Sequence, residues 1–298
     1  MLPRAARLLH LETLRAAFEG TATDVGAIVA ACEPRDGGGA EAELLARLPE
    51  ALVRLERLAP NDRVAVRDVL ATLTSGMAFD LTAFPGDDAA SVVALPTPAE
   101  LDRYTYLVAG CVGEFWTMIH LAHRRALARW NVAQMRADGI RFGKALQMTN
   151  VLRDIPRDVR HGRCYVPASA LAEHGLAAAD LLDASVMPKF RPLFATLLEK
   201  AAAHYAAAWR YTFEIPRREW RMRAACAWPL LIGEATLAAL ARAPNPLAAA
   251  EPVKISRVTV RAIVARSSVT VWSNRALAAQ AARVRGSRRP WLVETNHI

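Results

Sequence analysis

Between Arg141 and Pro167 the chain reads RFGKALQMTNVLRDIPRDVRHGRCYVP, and this stretch holds most of the side chains able to do chemistry. On a helix advancing 100° per residue, Gly143, Leu146, Gln147, Asn150, Asp154 and Asp158 fall within about 120° of arc. One face therefore carries a glycine, a leucine, two carboxamides and two carboxylates. Asp154 and Asp158, four apart, lie one above the other. Pro156 loosens the last turn, so the alignment is approximate. Stacked like charges on an exposed helix cost roughly a few tenths of a kcal/mol. A hard divalent cation relieves that repulsion, and Mg²⁺ suits one or two carboxylates with water and substrate phosphate completing its shell. A cation so held would draw electrons from a diphosphate leaving group. Arg153 and Arg163 could add charge-assisted contacts to the same oxygens. An Asp pair at this spacing is more often a solvated helix face. Gln147 and Asn150 on an otherwise apolar helix, and the basic turn Arg160–Arg163, weigh against that plainer reading.

The elements that must position this face are helices. Hydrophobic residues make up 53% of the 298, aromatics only 7%, so a core must be built from aliphatics and alanine. That mixture favours helix over sheet. Apolar spacing predicts helices over Glu41–Leu58 and Asp62–Phe84, separated from their neighbours by loops at Pro34–Gly39 and Pro85–Pro98. Thr97-Pro98-Ala99-Glu100 is a capping box with proline at the first helical position, predicting a helix to about Arg129. Further helices are expected over Val132 to Asp154 or a little beyond, Met187–Glu214, Arg217–Arg242 and Val258–Val284, with a loop at His161–Pro167. The valines and threonines of Val258–Val271 suit a strand as well as a helix. A single all-α domain over residues 1–285 is expected, with a tail over 286–298.

Net charge is +9. It fits a solvated arginine-rich surface, an anionic membrane surface or a polyanionic substrate. No zinc-finger spacing, basic zipper or RNA-binding motif is present, so no nucleic-acid partner is expected. Cys32, Cys111, Cys164 and Cys226 form no CxxC pair and read as reduced, buried thiols of a cytoplasmic protein. The start lacks an uninterrupted apolar run typical of a signal peptide. Ala224–Leu240, interrupted by Pro229 and Glu234, reads as a buried core helix, too short and polar for a membrane span.

Two blocks carry a family resemblance. NVLRDIPRDVRHGRCYVP closely resembles the second aspartate-rich motif of the squalene/phytoene synthase family, and Asp102–Gly113 (DRYTYLVAGCVG) is similar to its tyrosine…VAG-x-VG helix. Gly76-Met77-Ala78, Cys226-Ala227-Trp228-Pro229 and Val253-Lys254-Ile255 agree more weakly, in the expected order. The resemblance implies an isoprenoid-synthase helical bundle around a central apolar cavity. It implies head-to-head condensation of two prenyl diphosphates: farnesyl diphosphate to presqualene diphosphate and squalene, or geranylgeranyl diphosphate to phytoene. Mg²⁺ is implied, with NADPH if the product is squalene. By position, Asp154 and Asp158 match metal ligands, and Tyr104 a tyrosine that handles a proton or stabilises a cation. Gln147 and Asn150 match polar cavity residues. Arg153 and Lys254 match diphosphate-facing positions. Val108, Ala109, Val112, Gly143 and Leu146 match the wall along the hydrocarbon tail. The greasy product implies peripheral contact with the inner face of a membrane.

The sequence departs from the family pattern in three places. No earlier aspartate-rich motif is present, and LPRAARLLHLETLRAAFEG resembles what normally follows it, so the bundle is expected to be N-terminally incomplete and the chain weakly active or inactive. Asp87-Asp88 and Asp180…Asp183 read as turn and cap residues instead. Arg157 stands where glutamate is frequent and could pair with Asp154. Ala225 replaces an aromatic. The competing function is a non-catalytic relative that uses the bundle as a prenyl-lipid binding or assembly module; a helical lipid-binding protein without chemistry is a third.

Overall fold

Alanine, leucine and few β-branched runs have the expected outcome: in the computed structural model, which describes residues 2–22, 24–31, 39–248 and 253–286, nearly every element is a helix. Cys32, most of the Pro34–Gly39 loop and residues 287–298 of the expected tail lie outside the described residues. The chain divides into two compact units, Met1–Ala83 and Phe84–Ile298.

The first unit comprises α1 (Arg4–Glu19), α2 (Gly26–Ala31), α3 (Ala40–Ala46), α4 (Leu48–Glu56) and α5 (Pro60–Ala83). The single helix expected over Glu41–Leu58 is two. Pro49 lacks an N–H and is tolerated only in a first turn, so a new helix starts around it. Ala17, Val25 and Ile28 form a small core against Leu14, Leu48 and Leu52.

The second unit contains α6 (Pro98–Thr105), α7 (Cys111–His123), α8 (Val132–Arg160), α9 (Ala168–Glu173), α10 (Met187–Glu214), α11 (Trp220–Arg242), α12 (Arg257–Thr270) and α13 (Asn274–Arg285). The Thr97 hydroxyl accepts from the Glu100 N–H at 3.3 Å and starts α6. The helix expected from there to Arg129 is interrupted by a π-helical turn, Tyr106–Gly110, and α7 stops at His123. The expected loop at His161–Pro167 contains a short strand, β2 (Arg163–Cys164), paired in parallel with β1 (Val93–Ala94). Two residues are too few for a periodicity to reveal. Pro156 sits inside α8, which runs on through Arg160. Val258–Val284 is two helices, because Ser273 caps a new start by accepting from the Ala276 N–H at 3.3 Å.

Helix α8 is the axis of this unit and packs against α7, α10 and α11. Helix α11 is, by length and composition, apolar enough to cross a membrane, contrary to the expectation from Ala224–Leu240. The helix begins four residues earlier than that stretch and passes through Pro229 unbroken. Of its most apolar window, 67% is buried inside the protein, which fits a core helix.

Arg223 on α11 is fully buried, and among the described residues its hydrogen-bond partners are carbonyl and amide oxygens. Its guanidinium donates to the carbonyls of Thr212 (3.2 Å), Ile215 (2.7 Å) and Val271 (2.7 Å) and to Asn274 Oδ1 (2.6 Å). These carbonyls lie at the C-terminal ends of α10 and α12, where unpaired carbonyls and the helix dipole favour a cation. One side chain thus ties α10, α11 and the α12–α13 turn together. On the α8–α10 seam, Arg141 donates to His204 Nδ1 at 3.4 Å and to the Ala203 carbonyl at 2.6 Å. Burial, with Arg141, Lys144 and Lys200 nearby, lowers the His204 pKa to about 4 despite the opposing charge of Asp102.

Two outcomes are expected. Arg223→Lys keeps the charge but not the four-way fork and should cost about 2–4 kcal/mol in urea unfolding. His204 is neutral when folded and ordinary when unfolded. Stability should therefore be fully present above about pH 6.5 and lost as pH falls toward about 4. In thermal melts across that range, His204→Gln should flatten this part of the profile.

Candidate functional site

Around α8 the burial is uneven. Ala145, Met148, Val151, Leu152, Ile155 and Val159 are buried on its inner faces. Leu146, Gln147, Asn150, Asp154 and Asp158 are only half-buried. Arg157 and Arg160, near the end of the helix, are exposed.

Leu146 and Gln147 of this half-buried stripe border an apolar cavity of about 320 Å³, whereas Asn150, Asp154 and Asp158 lie further along α8 and are not among its walls. Val108, Ala109 and Val112 come from the π-turn and α7, and Gly143, Leu146 and Gln147 from α8. Six of the sequence-predicted residues therefore converge there. The remaining walls are Gly113, Trp116, Gly139, Phe142, Tyr211, Ala225 and Cys226. The floor depends on glycine. A Cβ on Gly143 would overlap the Ala109 carbonyl, and one on Gly113 would overlap the carbonyl of Gly139. Backbones thus meet where side chains would otherwise stand. The π-turn, a form frequent at functional sites, delivers Val108 and Ala109 to this contact. Thr117 donates to the Gly113 carbonyl at 2.8 Å. Burial pushes the Cys226 thiol up to about 12, so it is an inert wall. Cys111 and Cys164 are likewise buried and free, with pKa raised to about 11 and about 12.

Polarity rises along the stripe. Gln147 Nε2 donates to the Tyr104 hydroxyl at 3.4 Å, and Asn150 Nδ2 donates to Gln147 Oε1 at 3.5 Å. The buried Tyr104 ring stacks on Tyr165, centroids 4.6 Å apart, and Phe84 packs edge-on against Tyr165. One turn beyond Asn150, Arg153 grips Asp154 with two bonds of 2.8 and 2.6 Å. That contact, partly offset by burial, raises the Arg153 pKa, with a further contribution from Asp158. Asp154 therefore pairs with its immediate neighbour, whereas Arg157, the partner expected from helical spacing, is exposed. Arg163 on β2 lies 3.9 Å from Asp87, so Asp87 does more than shape a turn. Asp88, Asp180 and Asp183 are caps as expected, accepting from the N–H groups of Ser91, Ala177 and Ser185. Lys254 is exposed ahead of α12 and is not a cavity wall.

Tyr165, Trp116, Phe142, Tyr211 and the pair Gly113/Gly139 were not singled out from sequence. The signal for the glycines was present in the spacing Gly139-x-x-x-Gly143, which puts two side-chain-free positions on one helix face.

The apolar hollow thus lies beside α8, and the same helix carries amides, a guanidinium and two carboxylates further along. TcSQS in complex with the ligand BPH1237 superimposes with a TM-score of 0.73 over 95% of this chain and 75% of that one, at 19% identity. The squalene/phytoene synthase model matches residues 2–260, and the chain belongs to that family, with its isoprenoid-synthase helical fold. Among curated relatives, the phytoene synthase of Thermus thermophilus is 40% identical over 113 residues, 38% of this chain and 36% of that protein. The presqualene diphosphate synthase of Rhodopseudomonas palustris is 35% identical over 130 residues, 42% of each. The matches thus span less than half the length of these relatives.

Gly143→Ala should separate the floor helices, costing about 1–3 kcal/mol by overpacking. Urea unfolding should show that loss, and titration with a prenyl diphosphate analogue should show weaker binding.

Proposed function

We propose that the chain binds prenyl diphosphates and condenses two of them head to head. The relatives named phytoene synthase and presqualene diphosphate synthase support this. The observation that carries it is the graded stripe of α8. From Gly143 to Asp154 the axis advances roughly 16 Å at 1.5 Å per residue, enough to lay an isoprenoid along the cavity with its diphosphate at the carboxylates.

Among the described residues no three His, Cys, Asp or Glu side chains gather as an all-protein metal cage. Two carboxylates plus substrate phosphate is the donor set Mg²⁺ favours. Asp154 and Asp158 therefore fit a cation that arrives with its substrate. When bound, Mg²⁺ withdraws charge from the leaving diphosphate. Arg153, already tethered by Asp154, brings a permanent cation to the same place. Cleavage of the C1–O bond of one substrate expels diphosphate. The double bond of the second captures the allylic cation, and proton loss closes a cyclopropane ring. The Tyr104 ring, held in place by stacking on Tyr165, would offer electron density to such a cation. Gln147 ties the Tyr104 hydroxyl to the cavity wall. The apolar lining keeps water from quenching the cation. NADPH enters only for a squalene product, which needs hydride. A lipid-binding module would use the cavity but has no use for paired carboxylates, so catalysis is the better reading. Free, buried cysteines are in keeping with a cytoplasmic location.

Calorimetric titration with farnesyl thiodiphosphate should show Mg²⁺-dependent binding that Asp154→Asn and Asp158→Asn each weaken by about thirtyfold, roughly 2 kcal/mol. Incubation with farnesyl or geranylgeranyl diphosphate, with and without NADPH, then identifies the product. Binding indifferent to Mg²⁺ and to both substitutions would overturn the assignment.

A further inference from the structure

From Arg257 to Arg285 the chain holds six arginines and no aspartate or glutamate. Only Arg285 turns inward, pairing with buried Glu234 at 2.7 Å. Arg257, Arg261, Arg266, Arg275 and Arg283 are all exposed on α12 and α13. Beside them stand the three exposed tryptophans of the described residues: Trp220, Trp228 and Trp272, at 38, 37 and 48%. Trp220 and Trp272 pack against each other with ring planes tilted by 34° and centroids 5.7 Å apart, and the Arg221 guanidinium lies 4.7 Å over the Trp220 ring. Trp228 donates to Ser267 Oγ on α12 at 2.8 Å. Val258 and Val269 on α12 are 74 and 78% exposed. The nearby carboxylates are few: Glu219 faces Arg124 at 3.4 Å, and Glu214 is exposed at the end of α10.

We propose that α12, α13 and the first turns of α11 form a surface that docks on an anionic phospholipid bilayer. Water gains nothing from three indoles and two valines left on a folded surface, and patches of this kind mark contact sites. Indoles settle at the headgroup level of a bilayer, where their apolar bodies and polar N–H groups are both satisfied. Arginines unopposed by acid are drawn to anionic headgroups. Nucleic acid would use the arginines but give the exposed valines no partner. The surface also meets the cavity. Arg221, Ala225 and Trp228 are spaced i, i+4 and i+7 along one face of α11, and Ala225 is both exposed and a cavity wall. Docking there sets one wall of the hollow beside lipid, which is where a water-insoluble occupant would enter or leave. The docking itself does not depend on the chemistry at Asp154 and Asp158.

Co-sedimentation of the full chain with vesicles tests this. Binding is expected to phosphatidylcholine vesicles containing phosphatidylglycerol, with loss in high salt and little binding to phosphatidylcholine alone. Arg261→Glu/Arg266→Glu should weaken binding by about tenfold or more, and Arg261→Lys/Arg266→Lys should retain it. Trp272→Ser should weaken binding severalfold and reduce the blue shift of tryptophan emission on vesicles. Far-UV dichroism and melting of each variant should match the parent. Equal binding to uncharged vesicles, or unchanged binding by the glutamate and serine variants, would overturn the proposal. So would loss of self-association or of duplex DNA binding, rather than vesicle binding, as the effect of those substitutions.

Discussion

The backbone contact between the π-turn–α7 segment and α8 is the constraint on which the site depends. Gly113, Gly139 and Gly143 have no side chains, and any Cβ there would strike a carbonyl or a hydroxyl across the crossing. The helices consequently meet main chain to main chain at one level, and larger residues splay outward above it. Val108, Val112, Trp116 and Phe142 then surround empty space instead of filling it. Protein interiors otherwise pack without voids, so a hollow of this size requires a rigid floor that cannot collapse into it.

Among the described residues, several buried or half-buried ions of the second unit have built partners, although Glu234 Oε2 makes no hydrogen bond. Arg223 is held by helix-end carbonyls, Glu234 by Arg285, and Lys144 by Asp102 at 2.8 Å. In Asp102, burial alone would raise the carboxyl pKa, but the Lys144 hydrogen bond and charge more than offset it and hold it low. Arg153 and Asp154 belong to the same economy, with one difference. Their side chains are 32 and 17% exposed, against 21 and 5% for Arg285 and Glu234.

Much of the fold was legible because its signals are local. Met187–Glu214 has both ends where apolar spacing places them, and Thr97 caps the helix it announces. The failures share a cause. Pro49 and Ser273 each restart a helix inside an unbroken apolar pattern, since periodicity records which face is greasy and not whether the axis continues. The π-turn at Tyr106–Gly110 adds a residue to one turn to satisfy packing against α8, and β2 exists only because β1 lies beside it. Both are products of contact between segments distant in sequence.

The sequence alone determined that Gln147, Asn150, Asp154 and Asp158 share one face, because a helix of 3.6 residues per turn leaves no other arrangement. It also determined an all-helical chain with a strong positive charge. Only the tertiary structure decided that Gln147, at one end of this face, borders a hollow, that Arg153 and not Arg157 holds Asp154, and that Tyr165 backs Tyr104. It also decided that Trp220 and Trp228 of α11 reach Trp272 and Ser267 in the arginine-rich segment of α12 and α13. Those outcomes depend on how helices cross, and crossing is set by side-chain volume on several segments at once, which no single stretch of residues encodes.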